Sequence, residues 1–122
     1  MGMANALIVD DSASMRMVIK VTLNEAGYDV IEAEDGSVGL KKALLNKFDV
    51  IFTDINMPGM NGYDFIKKMR ALPDYEHTPI ITITTESGDE EKAKGKGVGA
   101  TGWIVKPFSP EKLVEVMKKL TL

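Results

Sequence analysis

The chain contains no cysteine. That excludes disulfides, thiolate metal sites and cysteine nucleophiles, and it suits a reducing cytoplasm. It has a single histidine, His77, which precedes the fourth apolar run and, with no second imidazole to help it, takes no ligand role. An excess of charge of one sign is also lacking: 15 Lys and Arg against 18 Asp and Glu leave a formal net charge of -3, so there is no basic field for a nucleic acid. Long hydrophobic runs are missing too. No segment approaches the roughly 20 apolar residues of a membrane span, and the N-terminal MGMANALIV lacks the basic flank and apolar length of a signal peptide. A cytoplasmic protein is expected, with neither a membrane nor a nucleic acid as partner.

What is present is enough for a core. At 122 residues, 44% hydrophobic and 27% charged, the chain predicts one domain over 1–122. Five short Ile/Val-rich runs recur, Ala6 to Val9, Val30 to Ala33, Val50 to Thr53, Ile80 to Thr84 and Trp103 to Val105. They lack clean alternation, as strands covered on both faces do. Between them lie helical stripes: Met15, Val18, Ile19, Thr22, Leu23 and Ala26 before Gly27; Leu40, Ala43 and Leu44; Phe65, Ile66, Met69 and Leu72 before Pro73; and Leu113, Val116, Met117 and Leu120 behind the capping Ser109-Pro110. The fourth helix is the weak one. GDEEKAKGKGVGA carries Gly95, Gly97 and Gly99, each costing about 1 kcal/mol against Ala in a helix interior, with only Ala93 and Val98 as apolar support; a short or frayed helix is expected there.

Strand and helix alternating five times with short links predicts an α/β fold, a five-stranded parallel sheet with helices on both faces. Ligands of such sheets bind beyond the carboxyl ends of the strands. Those ends carry Asp10 and Asp11, Asp54, Thr84 and Lys106, while the second strand contributes no obvious chemistry. If the first and third strands are neighbours, three carboxylates converge, each close pair repelling by about 4 kcal/mol at 4 Å. A hard divalent ion such as Mg²⁺, which prefers oxygen ligands, and the Lys106 ammonium would balance them. A carboxylate beside that metal and a lysine, with the Thr84 hydroxyl on the same rim, fits phosphoryl transfer with Asp54 as nucleophile. Thr85 also ends the fourth strand, and the spacing to Lys106 favours Thr84. The bland alternatives are that Asp54 serves only its turn and that Asp10 and Asp11 only cap a helix.

VDDS (9–12), DINMPGMNG (54–62), TTE (84–86) and GWIVKPF (102–108) resemble, in family order and over nearly the whole chain, the motifs of the bacterial response-regulator receiver domain, most closely the single-domain chemotaxis regulators of the CheY type. The resemblance implies the flavodoxin-like strand order 2-1-3-4-5. It implies Asp54 as phosphoacceptor, Mg²⁺ (or Mn²⁺) held by Asp10, Asp11, Asp54 and the backbone carbonyl of Asn56, Lys106 on the phosphoryl group, and a cis Lys106-Pro107 peptide. Thr84 becomes the switch hydroxyl, and the switch aromatic falls on Trp103, larger than the usual Tyr or Phe and without a hydroxyl. Asn56 and Glu86 take the positions that tune hydrolysis. The implied partners of this monomer are a sensor histidine kinase as phosphodonor, a phosphatase, and a separate protein on the face of the fourth helix, fifth strand and fifth helix, since no residues remain for an output domain. That protein would be the flagellar switch or, alternatively, another phosphorelay component. A flavin module of similar architecture would need phosphate-cradling donors where DDSAS places carboxylates. A degenerate scaffold would lack the acceptor, metal ligands or lysine.

Overall fold

The computed structural model describes residues 4–121, so Met1 to Met3 and Leu122 of the expected domain lie outside the described residues. Strands β1 (Asn5–Val9), β2 (Asp29–Ala33), β3 (Val50–Thr53), β4 (Ile80–Thr84) and β5 (Gly102–Val105) alternate with helices α1 (Ala13–Glu25), α2 (Gly36–Leu45), α3 (Gly62–Arg70), α4 (Asp89–Val98) and α5 (Pro110–Leu120). A 3-10 turn, Pro73–Tyr75, follows α3. All strand pairs are parallel, in the order β2-β1-β3-β4-β5. This is the CheY-like flavodoxin order.

The apolar runs do not alternate because both faces of the sheet are covered. Ala6 and Ile8 of β1 join Ile19 and Leu23 of α1 and Leu113 and Met117 of α5 in one core. Leu7 and Val9, pointing the other way, pack with Ala43 of α2 and Phe65, Ile66 and Met69 of α3. Burying one such side chain stabilises by about 1.5–3 kcal/mol, and Thr82, polar in the middle of β4, is buried with its hydroxyl donating to Gly102 O at 3.4 Å. Side chains close the helix starts: Ser12 accepts from Met15 N–H, Asp35 from Val38, Asn61 from Asp64 and Ser109 from Lys112.

Three expectations need correction. Val18 is 48% exposed and Leu44 70%, so neither belongs to its core stripe. On α2 the face toward the sheet is instead Gly36, Gly39 and Ala43, small residues that bring the helix close, with Leu40 packed at the edge of the core and Leu44 and Leu45 turned outward. The fourth helix is not short. It runs ten residues, with Asp89, Glu90 and Glu91 in its first turn complementing the helix dipole. Its one buried residue is Gly95, where an added Cβ would lie 2.6 Å from the Trp103 ring. The glycine that weakens the helix is what lets the indole lie against it.

Candidate functional site

The central strands β1 and β3 end side by side, with Val9 opposite Thr53. The next main-chain bonds of the ladder continue past the strands: Asp54 N–H donates to Val9 O at 2.9 Å, and Asp10 N–H to Ala33 O at 3.1 Å. Both aspartates are thus fixed by backbone before their side chains act. Across the crevice, Lys106 N–H donates to Thr84 O at 2.8 Å, which brings the end of β5 to the same edge. The Lys106-Pro107 peptide is cis.

Lys106 Nζ donates to Asp10 Oδ2 and to Asp54 Oδ2, each at 3.0 Å. Asp10 is 2% exposed, and the Asp54 and Lys106 side chains are 12% and 14% exposed. Burial works against the ammonium charge, but hydrogen bonds donated to two carboxylates and their negative charge outweigh it and hold Lys106 above the ordinary lysine range. The second oxygens are occupied too: Asp10 Oδ1 accepts from Ser12 N–H at 2.9 Å and Asp54 Oδ1 from Ile55 N–H at 2.7 Å.

Asp11 is exposed, yet one oxygen from each of Asp10, Asp11 and Asp54 lies within 4.8 Å of the others. Octahedral ligands at the Mg–O distance stand roughly 2.9–4.2 Å apart, so the trio would draw closer together to share one ion. The donors are all hard oxygens beside the half-buried Lys106, and they fit a small divalent cation.

Gly62 explains the turn that follows Asp54. A Cβ there would come within 2.2 Å of Asp54 O and 2.7 Å of Ile55 Cα, so only glycine lets α3 begin against the Asp54 main chain. On the far rim, Thr84 is buried and its Oγ1 accepts from Glu86 N–H at 3.3 Å. Glu86 is a junction: its carbonyl takes the Trp103 indole N–H at 2.8 Å, and its Oε1 takes Asn56 Nδ2 at 2.9 Å. The structure therefore brings Asp10, Asp11, Asp54 and Lys106 into one crevice and links Thr84, Asn56 and Trp103 through Glu86.

Two residues were missed by sequence reasoning. Arg16 donates from a terminal guanidinium nitrogen to Asp10 O at 2.6 Å, and its Nε donates to Glu32 Oε1 at 3.2 Å. Glu32 lies in β2, the strand from which no chemistry was expected. The available signal was a long forked cation one turn into the helix that follows DDS.

Such a fold, with acids and a lysine meeting at its carboxyl edge, defines a class. The family model of the response regulator receiver domain matches residues 6–118, and the chain belongs to that family. Within it, the chain is 46% identical to chemotaxis protein CheY1 of Helicobacter pylori (strain J99) over 92% of each, and 45% identical to the chemotaxis protein CheY homolog of Campylobacter jejuni over 92% of this chain and 88% of that one. The crystallised chemotaxis protein CheY4 of Vibrio cholerae superposes with a TM-score of 0.95 at 49% identity, over 98% of this chain and 99% of that one.

Proposed function

We propose that the protein is a CheY-like switch in which Asp54 accepts a phosphoryl group from the phosphohistidine of a sensor kinase. The observation that carries this reading is the ammonium of Lys106 bridging Asp10 and Asp54 at 3.0 Å. A carboxylate tethered at both oxygens is aimed before the donor arrives. Asp10, Asp11, Asp54 and the Asn56 carbonyl would hold Mg²⁺, which when bound neutralises charge on the phosphoryl oxygens. In the transfer, an Asp54 oxygen bonds to phosphorus as the phosphorus–nitrogen bond of the donor breaks, and the imidazole leaves with that electron pair. Lys106 turns one of its donors from carboxylate to phosphoryl oxygen, so its charge is used in both states.

The output follows from Thr84. Its hydroxyl accepts from Glu86 N–H in this state; donating to a phosphoryl oxygen would pull it inward and draw on Glu86. Because Glu86 also holds the Trp103 indole and the Asn56 amide, that movement shifts the population of the α4-β5-α5 face. We assign to that face a separate protein partner, the flagellar switch, consistent with the chemotaxis relatives. Asn56 and Glu86, joined side chain to side chain at 2.9 Å, would tune hydrolysis of the acyl phosphate toward a short-lived signal, and a phosphatase would assist its loss.

The test is incubation with acetyl phosphate and Mg²⁺. Wild type gains one phosphoryl mass with a change in Trp103 emission, and chelation of Mg²⁺ or Asp54→Asn removes both. A phosphoryl gain that survives in Asp54→Asn contradicts the assignment.

A further inference from the structure

The cation site has two acidic residues on the link between β1 and α1, and they are not held alike. Asp10 is buried and its carboxylate takes both Ser12 N–H and the Lys106 ammonium. Asp11 is exposed, so little packs on its side chain. Its direction must be set through the main chain.

The Asp10 carbonyl and the Asp11 N–H belong to one rigid peptide plane. Arg16 grips that plane: its guanidinium donates to Asp10 O at 2.6 Å. The arginine is itself held, Nε to Glu32 Oε1 at 3.2 Å, with its side chain 16% exposed. Glu32 is anchored in turn, since its carboxylate meets Lys20 Nζ at 3.5 Å and its main-chain carbonyl accepts from Lys42 Nζ. One strand end, the neighbouring strand and the first turn of α1 are thereby tied through a single guanidinium. A lysine could reach the carbonyl or the glutamate, but lacks the planar fork that spans both.

We infer that Arg16, oriented by Glu32, is a positioning residue for the cation site: it fixes the Asp10–Asp11 peptide plane and so aims the Asp11 carboxylate, whose side chain has no hydrogen-bond partner among the described residues. The inference rests on the reading that Asp10, Asp11 and Asp54 bind a divalent cation. It concerns neither acceptor nor switch, and Arg16 touches no phosphoryl group in it.

Two readouts separate this role from general stabilisation. The first is Mg²⁺ affinity of the folded protein, titrated through Trp103 emission. Arg16→Lys and Arg16→Gln weaken it on the order of tenfold, the scale of losing an outer-shell partner, and Glu32→Gln weakens it by a smaller factor. The second is the backbone order parameter of Asp11 in metal-free protein, which falls from the rigid value of about 0.85 toward 0.6 in the same variants. Variants that unfold more easily but bind Mg²⁺ as wild type does, with an unchanged order parameter at Asp11, overturn the inference. If wild type itself binds no Mg²⁺, the cation reading fails, and the metal-free order parameter still decides whether Arg16 positions Asp11. Glu32→Gln, which leaves the arginine in place, serves if the Arg16 variants do not fold.

Discussion

Two glycines of α4, two residues apart, should respond oppositely to the same substitution. Alanine for glycine in a helix interior stabilises by about 1 kcal/mol. At Gly97 a new Cβ meets nothing within 4 Å, so Gly97→Ala should keep that gain and raise the melting temperature by roughly 4 °C. At Gly95 the new Cβ would stand 2.6 Å from Trp103 Cζ3 and 3.1 Å from Cε3, well inside the roughly 3.5–4.0 Å of carbon contact. The indole must move. Overpacking of this kind costs about 1–3 kcal/mol, and a strained or broken Nε1–Glu86 O bond, now 2.8 Å, costs about 1 kcal/mol more. Set against the helix gain, Gly95→Ala should destabilise by about 1–3 kcal/mol and shift Trp103 emission, while Gly97→Ala leaves emission unchanged. Thermal melts followed by circular dichroism, with tryptophan fluorescence on the same samples, make the comparison. If both variants are equally stabilised with unaltered emission, Trp103 does not rest on Gly95 and the proposed coupling of α4 to the switch loses its basis.

Other substitutions probe the crevice. Lys106→Met leaves two facing carboxylates without their cation and should destabilise metal-free protein on the order of 3 kcal/mol, with part of the loss restored by Mg²⁺ in a urea titration. Because the folded Lys106 sits above its unfolded value, its contribution is complete below about pH 10.4 and is lost as pH rises through the folded pKa; the variant should lack that alkaline loss. Gly62→Ala pushes a methyl against main-chain atoms of Asp54 and Ile55 that cannot yield. It should cost about 3 kcal/mol and weaken Mg²⁺ binding, and unchanged melting and affinity would refute the close approach.

The strands were legible because each is a short, largely apolar run with a polar residue at its end or just after it, Glu32 of β2 and Thr82 of β4 being the interruptions, and Val50–Thr53 and Ile80–Thr84 coincide with the expected spans. The site was legible for the same reason: in a parallel sheet the residue after the run is the residue at the crevice. The helices were harder. Counting large apolar residues put Leu44 inside, because Gly36 and Gly39 carry no hydrophobic signal although they make the close face of α2. Gly95 read as a helix defect because its reason, the Trp103 ring, lies on another element. Arg16 escaped notice because its two partners are a main-chain carbonyl and a glutamate one strand away, a relation that no spacing along the chain reveals.

The central claim is that one carboxylate of the three becomes an acyl phosphate. Borohydride reduces an aspartyl phosphate to homoserine, so treating the protein after incubation with Mg²⁺ and acetyl phosphate marks the acceptor for peptide mass spectrometry. The account predicts homoserine at position 54, with Asp10 and Asp11 intact. Homoserine at 10 or 11, or reduction at none of the three in a protein that has gained a phosphoryl mass, would contradict it.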